Sequence, residues 1–516
     1  MTTAPAVPGR ALTHREIMVV MGGLMTAMLL AALDQTIVST ALYTIVGDIG
    51  GRDGVQHISW IVTAYLLTST ASTPLYGKIS DIHGRKKLFL IAISIFLVGS
   101  MLSGLSQNML QLTLFRAVQG IGAGGLMALS MAIVGDVIPP RERGRYQGMF
   151  GAVFALSSVL GPLLGGLFTE HLSWRWIFYI NVPLGIIAII VIATKLHIPQ
   201  IRQDHKVDWM GAVLLVAAVT STLLGLVNGQ TWGWTSLAVV SLLAAGVLLT
   251  AAFLVWEMKV DEPILPLKIF RDRVISVSSG LGFITGFAMF GAIVYLPVYL
   301  QAVKGFSPTQ AGLMLLPLVV GMLVTIVGSG RITTHTGRYR VFPLVGAPVM
   351  VLGFLLFSRL GTTTPLWQLA IAMAVVGAGI GLIMQIVVLA AQNSAEPGQM
   401  GVVTSTTTFV RGLGGTFGTT IFGVVLANVF ADEVASRLGA LGGGAPVGSE
   451  TGLSGPALAA LPAAIKQPVL ESFTHALDMV FLSAAGVAVL AVVLAVFLPE
   501  RPLREHAGHQ AMPAEL

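Results

Sequence analysis

The stretch Gly77-Lys-Ile-Ser-Asp81-Ile-His-Gly84-Arg85-Lys-Lys87 decides how this chain is organised. It follows a long apolar run and combines two glycines, one carboxylate and three consecutive basic residues. A related stretch, Gly330-Arg-Ile-Thr-Thr334-His-Thr-Gly337-Arg338, follows another apolar run 253 residues later. The same pattern after two distant apolar runs indicates an internal duplication.

Two further glycine patterns repeat in the same order. Gly120-Ile-Gly122-Ala-Gly124 recurs as Gly377-Ala-Gly379-Ile-Gly381, and the pair Gly161 and Gly165 recurs as Gly414 and Gly418, again 253 residues later. One glycine match alone would mean little, but three matches at nearly one offset favour two homologous halves. Duplicated halves are typical of secondary transporters, whose binding site lies between the halves near the midplane of the membrane.

The apolar runs predict an all-α polytopic membrane protein with 14 transmembrane helices. Each run is long enough for the roughly 20 residues that a helix needs to cross the hydrocarbon core. Barrel strands would instead be about ten residues long, with alternating polarity. The predicted spans are 17–47, 57–77, 88–106, 110–137, 145–170, 177–196, 208–228, 235–256, 274–302, 309–330, 341–360, 366–393, 400–430 and 474–498.

Composition supports the membrane prediction and excludes several other classes. Only 10% of the 516 residues are charged, against about 25% in an average soluble protein, and mean hydropathy is +0.85. This argues against a soluble enzyme, a disordered chain or a nucleic-acid binder. The chain has no cysteine, which excludes disulfides and thiolate metal sites. It also lacks an H-E-x-x-H motif and a Walker loop, so we expect neither an enzyme nor an ATP-driven pump.

The basic residues are sorted between the loops. With both termini on one side, 21 of the 29 Lys and Arg residues fall in the loops of that side and six in the loops of the other. Positive loops stay in the cytoplasm, so we expect a multi-pass protein of the cell (inner or plasma) membrane with both termini cytoplasmic. The basic pI near 9.6 is then mostly a topology signal, and no nucleic-acid partner is needed to explain it.

The repeat and the spans together predict a division into domains. Spans seven and eight have no counterpart in either half, so we interpret them as an inserted hairpin at the periphery. The long loop 431–473 is predicted to be external, with a lid, a docking element and an irregular linker as open alternatives. The predicted parts are a cytoplasmic N-terminus (1–16), an N-terminal six-helix bundle (17–200), the inserted two-helix hairpin (201–260), a C-terminal six-helix bundle (261–500) and a cytoplasmic tail (501–516).

Several motifs resemble those of one family. Gly77–Lys87 resembles the loop signature of the major facilitator superfamily, and Leu112–Gly124 resembles its fourth-span motif. Gly161-Pro162-Leu-Leu-Gly165-Gly166 resembles its antiporter motif. Leu33–Val38 and Trp174–Gly185 are similar to the fourteen-span drug:proton antiporters of the QacA/EmrB type. The resemblance implies the major facilitator fold, with two pseudo-symmetric six-helix bundles plus two inserted helices, and a proton antiporter of alternating access.

The implied function is multidrug efflux, in which lipophilic or amphiphilic compounds are exported and antibiotic resistance follows. A dedicated exporter of a lipid or a secondary metabolite is the alternative within the same fold. A receptor or scaffold without transport is a more distant one. We expect a monomer in the lipid bilayer that uses a proton gradient, with no cofactor and no metal; an adaptor protein is left open.

The resemblance also implies a gate on the cytoplasmic side. Asp81 would face the N-terminus of span thirteen, near Gly398–Gly401, where a carboxylate is favourable. The alternative is that the basic residues only anchor the loop on the cytoplasmic side. The expected gate residues are Gly77, Asp81, Gly84, Arg85, Lys86, Asp136 and Arg145.

The antiporter motif has a physical interpretation of its own. Pro162 removes one helical hydrogen bond and is expected to bend span five, and Gly165 and Gly166 allow span eight or another helix to approach closely. The alternative is a packing kink with no role in the direction of transport.

Two charges within the spans are the candidates for proton coupling. Asp34 lies seventeen residues into span one, and Arg116 about six residues, or roughly 9 Å, into span four. Ionisable groups inside a membrane are functional candidates by default. We expect Asp34 to carry the coupling proton and Arg116 to tune it, with a static buried ion pair as the alternative.

Two more intramembrane charges are less easily placed. Arg411 lies in span thirteen, and no acid lies in spans nine to thirteen. It could attract an anionic or amphiphilic substrate, or bond to carbonyls of Gly412–Gly415, which is the interpretation that we favour. Asp478 is interpreted as an interfacial residue. A substrate cavity is expected to combine aromatic, Met and polar side chains, and the candidates are Gln35, Tyr65, Gln119, Phe154, Phe290, Tyr295, Met384, Gln385 and Arg411.

Overall fold

The computed structural model describes residues 14–49, 58–138, 140–196, 208–396, 399–439 and 463–503. Within these ranges the regular structure is helical. The α-helices are α1 (His14–Ile49), α2 (Ile58–His83), α3 (Arg85–Leu105), α4 (Met109–Val137), α5 (Pro140–His171), α6 (Trp176–Tyr179), α7 (Asn181–Lys195), α8 (Trp209–Trp232), α9 (Leu237–Lys259), α10 (Arg273–Ala302), α11 (Pro308–Met314), α12 (Leu316–Thr336), α13 (Val341–Phe357), α14 (Leu366–Ser394), α15 (Met400–Gly439) and α16 (Ala463–Phe497).

Each of the fourteen predicted spans coincides with a helix or with two consecutive helices. Twelve segments of the described chain are long and apolar enough to cross a membrane, and α13 is a shorter apolar helix. The remaining span, α2, has 26 residues but is rich in Ser and Thr. It packs against α4, α8 and α15, so its polar side chains lie inside the bundle. The predicted all-α polytopic fold is confirmed.

The predicted bounds of the loop 431–473 are wrong at both ends. Helix α15 continues to Gly439, and α16 already begins at Ala463, so only 440–462 of this loop lie outside the described residues. In the sequence, charged residues mark the ends of the apolar runs. In the structure, the same residues form ion pairs on extensions of the two helices. Arg437 Nε lies 2.8 Å from Glu433 Oε1, and Arg437 Nη1 lies 2.6 Å from Glu471 Oε2, which joins α15 to α16.

The repeated glycines occupy equivalent helix contacts. A side chain on Gly122 would collide with Phe96 of α3, and one on Gly379 would collide with Met350 of α13. Gly120 likewise faces α2, and Gly377 faces α12. Therefore α4 lies between α2 and α3 just as α14 lies between α12 and α13, because only small residues let the backbones approach so closely.

The helices pack in two groups that meet along a few pairs. Helix α1 packs on α4, α5 and α7, while α10 packs on α14, α15 and α16. Between the groups, α5 packs on α11, α12 and α14, and α15 packs on α2 and α4. Helices α8 and α9 pack on each other, and α8 also contacts α2 and α15. Apolar side chains of α9 stay exposed, Leu237 at 85%, as expected for a helix that faces lipid.

The alternation of the helices defines two faces of the bundle. The face that carries the start of α1 and the end of α16 is called the terminal face here, and the other is called the opposite face. Helix α1 has 36 residues, about 54 Å at 1.5 Å per residue, and so extends well beyond a hydrocarbon core of about 30 Å.

Candidate functional site: a buried charge network beside a central cavity

Asp34 and Arg116 form an ion pair in the interior of the bundle. Arg116 Nη1 contacts Asp34 Oδ2, and the two residues are 0% and 1% exposed. Helix α1 supplies the acid and α4 the base. Since both charges are out of water, each depends on the other and on the polar groups around it.

Amide side chains complete the coordination of the Asp34 carboxylate. Gln119 Nε2 donates to Asp34 Oδ1 at 2.8 Å, and Asn181 Nδ2 donates to the same oxygen at 3.3 Å. Gln119 Oε1 also accepts from Arg116 Nη1 at 2.9 Å. Gln119 was expected in the cavity wall and instead belongs to this network. Asn181 was missed as a site residue, although it begins α7 within the Trp174–Gly185 motif.

Two aromatic rings lie near the Arg116 guanidinium. Arg116 Cζ lies 4.1 Å from the ring centre of Tyr65 and 5.9 Å from that of Phe178. Arg116 Nε also donates to the backbone oxygen of Ile61 at 3.4 Å. Tyr65 donates from its hydroxyl to the oxygen of Ala31 at 3.0 Å. Tyr65 was also expected in the cavity wall, and the structure places it in the network, where its ring stabilises the cation.

At the terminal face, Arg85 joins two carboxylates. Arg85 Nη2 lies 2.7 Å from Asp81 Oδ1, and Arg85 Nε lies 2.5 Å from Asp136 Oδ2. Arg85 Nη1 donates to Ser80 Oγ at 2.7 Å. Gly84 has φ of 93°, a left-handed conformation that favours glycine, and it makes the tight turn between α2 and α3.

The same cluster touches the first turn of α15. A side chain on Gly401 would collide with the Asp81 carboxylate and the Arg85 guanidinium, and one on Gly77 would collide with Ser405. The carboxylate thus lies at a helix N-terminus, where backbone N–H groups favour an anion. Lys86 Nζ donates to the oxygen of Ala193 at 2.6 Å. The side chain of Arg145 lies outside the described residues.

Two more contacts join the helix groups near the terminal face. Gln392 Nε2 donates to the oxygen of Met131 at 3.2 Å and to Thr404 Oγ1 at 3.1 Å. A side chain on Gly135 would lie 3.0 Å from Met400 Cγ. Helices α4, α14 and α15 are therefore held together on this side.

The antiporter-like motif packs on α1 next to Asp34. A side chain on Gly161 would collide with Thr36, and Thr36 Oγ1 donates to the oxygen of Ser157 at 2.9 Å. Gly165 and Gly166 are buried in α5, and the side chain of Pro162 lies outside the described residues. The motif thus fixes α5 against the helix that carries the buried acid.

A central cavity lies between the two helix groups. Of the nine cavity candidates, Gln35, Phe154, Phe290, Met384 and Arg411 line it. Tyr295 is not among the lining residues, and its hydroxyl donates to the oxygen of Thr419 at 2.7 Å. Gln385 is buried between α14 and α5, beside Gly151. The lining also includes residues that were not expected, namely Leu66, Ser69, Thr70, Thr73, Met127, Met289, Thr408, Phe409, Gly412, Gly415 and Thr416.

Arg411 and Asp478 each bury one polar atom that has no hydrogen-bond partner among the described residues. Arg411 Nη1 is buried and has no hydrogen-bond partner among the described residues, so no bond from this nitrogen to the carbonyls of Gly412–Gly415 is seen. Asp478 was expected to be interfacial, and its carboxylate accepts from the backbone of Leu360, just after the end of α13, while its Oδ1 is buried without a partner in the described chain. Apolar runs do not reveal how far a helix extends, and α16 begins fifteen residues before Asp478.

The opposite face carries a smaller polar cluster. Trp174 Nε1 and Arg175 Nη1 donate to Asp48 Oδ2 at 2.8 and 2.9 Å. The Trp174 indole, followed by Arg175, lowers the pKa of Asp48 below its ordinary value of 3.8. In the described residues, no group of three or more His, Cys, Asp or Glu side chains is arranged to hold a metal ion.

Comparisons with known proteins agree with this architecture. The Major Facilitator Superfamily profile matches residues 24–419. An uncharacterised MFS-type transporter of Mycobacterium tuberculosis is 39% identical over 512 residues, which cover 98% of this chain and 73% of that protein. Multidrug resistance protein 3 of Bacillus subtilis is 36% identical over 486 residues, or 92% of this chain and 94% of the relative.

A solved structure shows the fold directly. The MFS proton:xylose symporter XylE, bound to 6-bromo-6-deoxy-D-glucose, superposes with a TM-score of 0.65 at 14% identity, over 96% of this chain and 99% of that one. The major facilitator fold that the motifs predicted is therefore confirmed. Because the family profile spans more than half of the residues and both relatives exceed 30% identity, the chain belongs to the Major Facilitator Superfamily.

Proposed function

We propose that this protein exports lipophilic or amphiphilic small molecules by exchange for protons, through alternating access of the central cavity. One observation carries the proposal: consecutive residues of α1 serve the buried charge network and the cavity. Asp34 pairs with Arg116, while Gln35 lines the cavity. A change in the protonation of Asp34 therefore acts on the helix that also contacts the substrate.

Proton binding at Asp34 would disturb the whole network. A neutral Asp34 no longer balances the buried Arg116, and breaking a buried pair costs about 3–5 kcal/mol. Asp34 is 0% exposed, so it exchanges a proton with water only after α1 or α4 moves. Protonation and movement are thus linked, which is what coupled transport requires.

The movement can reach the cavity through α5. Thr36 follows Gln35 and holds the oxygen of Ser157, and Gly161 keeps α5 close to α1. Phe154 of α5 lines the cavity together with residues of α10 and α14. A shift of α1 would therefore change the shape of the substrate site.

We further propose that the terminal face is cytoplasmic and that its contacts form the closed gate. The distribution of Lys and Arg supports this orientation in the cell membrane. Arg85 with Asp81 and Asp136, packed on Gly401 of α15, ties the helix groups together on this side. Opening toward the cytoplasm would separate Asp81 from the first turn of α15.

The same packing supports the proposed division of the chain. The predicted bundles, 17–200 and 261–500, correspond to helices α1–α7 and α10–α16, and the hairpin 201–260 to α8 and α9.

Relatives support the substrate class: Bacillus subtilis Multidrug resistance protein 3 and the Bacillus subtilis multidrug transporter MdtP, 38% identical over 81% of this chain, are both named for multidrug resistance or transport.

The test is transport of a lipophilic dye in proteoliposomes with an imposed pH gradient. We expect uphill dye movement that stops when the gradient is collapsed, and its loss in Asp34→Asn. Asp48→Asn is the matched control, because it removes the same charge from a half-exposed carboxylate on the same helix. Full gradient-driven transport by Asp34→Asn would show that the proton site lies elsewhere.

A panel of unrelated compounds separates broad from dedicated export. Transport of several chemical classes supports multidrug efflux. Transport of one lipid or secondary metabolite alone would instead support the dedicated exporter of the same fold.

A further inference from the structure

The central cavity carries an unbalanced positive charge. Among the described residues that line it, Arg411 is the only charged one. Asp34 directly precedes the lining residue Gln35, but its carboxylate already accepts from Arg116, Gln119 and Asn181. Arg411 therefore has no counter-ion of its own within the described chain.

The arginine is held in place by its stem. A side chain on Gly286 of α10 would lie 3.1 Å from Arg411 Cγ, and one on Gly282 would lie 3.9 Å from Arg411 Cβ. Two small residues of α10 thus leave room for the side chain, whose Nη1 is buried without a partner. A buried guanidinium nitrogen without a partner is costly, and a bound anion would remove that cost.

Uncharged polar groups in the same wall can assist an anion. Gln35, Ser69 and Thr70 line the cavity with an amide and two hydroxyls, which can donate hydrogen bonds. Thr70 lies close to Gly412, the residue after Arg411, since a side chain on Gly412 would be 3.5 Å from Thr70 Oγ1. Thr70 therefore lies in the same region of the cavity as Arg411, and the other two donors line the same cavity.

The rest of the wall is apolar. Phe154, Phe290 and Phe409 provide aromatic surface, and Met127, Met289 and Met384 provide flexible apolar surface. Such a wall suits the body of a molecule whose shape is not fixed in advance. A complementary ligand would combine an aromatic or aliphatic body with one anionic group.

We propose that the preferred substrates are amphiphilic organic anions, whose sulfonate, carboxylate or phosphate group binds Arg411 while the apolar body lies on the Phe and Met surface. This proposal rests on the proposed export function and specifies its substrate class. Arginine suits the role because its planar guanidinium can form two parallel hydrogen bonds to such an anion.

The experiment compares two dyes that differ by one charged group. Anilinonaphthalene sulfonate is anionic at all working pH values, and phenylnaphthylamine is its neutral counterpart. Gradient-driven transport of each is measured in proteoliposomes for wild type, Arg411→Gln and Arg411→Lys. Arg359→Gln is the matched control, because it makes the same change at an exposed arginine.

We expect Arg411→Gln to reduce kcat/KM for the sulfonate about 10- to 100-fold, the effect of one charge-assisted hydrogen bond, and to leave the neutral dye within about threefold. Arg411→Lys should recover part of the sulfonate transport, and Arg359→Gln should change neither dye. Transport of the neutral dye also reports that each variant is folded.

The outcomes separate this inference from the proposed function. If wild type moves the neutral dye but not the sulfonate, or if Arg411→Gln affects both dyes equally, the anion site is refuted and proton-driven export stands. If wild type moves neither dye against a gradient, the proposed broad export of lipophilic and amphiphilic compounds is itself refuted.

Discussion

Replacing Asp34 with Asn tests whether the buried network is both a structural and a coupling element. The change is isosteric, so Oδ1 can still accept from Gln119 and Asn181. The other oxygen becomes an NH2 group that faces Arg116 Nη1, which places donor against donor. A buried cation is left without its counter-charge at 1% exposure, and the cost is about 3–5 kcal/mol of folding stability.

A double-mutant cycle isolates that cost. Arg116→Gln should destabilise the protein by a similar amount, because it leaves Asp34 ionised and unpaired. The double variant Asp34→Asn/Arg116→Gln contains only neutral amides at these positions and should be clearly more stable than the sum of the single effects predicts. Thermal unfolding in one detergent at one pH measures all four proteins.

Transport separates the two roles of the network. We expect the double variant to fold but to lose proton-driven dye movement, while substrate exchange down its own gradient continues. Additive effects on stability would refute the buried-pair argument. Proton-driven transport by the double variant would refute the coupling role of Asp34.

Three further perturbations address other parts of the molecule. The chain has no cysteine, so the pair Gly135→Cys/Met400→Cys can be cross-linked specifically. We expect this disulfide to hold the terminal face closed and to stop transport until it is reduced. Continued transport by the cross-linked protein would mean that α4 and α15 need not separate. Asp48→Asn should lower the melting temperature at neutral pH. Because folding lowers the pKa of Asp48, its pairing stabilises the folded chain above the ordinary pKa of 3.8, and this stabilisation is lost as the pH falls below that value. If the melting temperatures of variant and wild type differ by the same amount above and below pH 3.8, the assignment is contradicted. Exchange of an outward monoanion for one inward proton moves two charges across the membrane, whereas exchange of a neutral dye moves one. An inside-negative potential of about 100 mV should therefore favour sulfonate export by about 4.6 kcal/mol and neutral-dye export by about 2.3 kcal/mol. Equal dependence of the two dyes on a potential imposed with valinomycin would refute this stoichiometry.

The fold was largely predictable because a membrane leaves few alternatives. Apolar length locates the spans, and every predicted span coincides with described helical structure. The ends of the helices were harder to place. Arg437, Glu433 and Glu471 look like loop residues in a hydropathy profile, yet they pair along the extensions of α15 and α16.

The site was predictable where charge enforces a partner and less so elsewhere. Asp34 and Arg116 stand out because few ionisable residues lie within spans, and the structure brings them together. Asn181 was missed although it lies within the Trp174–Gly185 motif, because the sequence does not reveal which amide faces the buried carboxylate. Sequence position also does not reveal which side of a helix faces the cavity, so Tyr295 and Gln385 were placed there although they pack elsewhere.

The order Asp34, Gln35, Thr36 on α1 has a consequence for how such a protein can change over generations. Successive residues of a helix are turned by about 100°, so these three side chains face the charge network, the cavity and α5 respectively. A substitution at Gln35 can alter what is recognised while the energy source is left intact one residue away. New specificities are thus accessible by single point mutations, whereas one inserted residue before Asp34 would misdirect all three side chains at once.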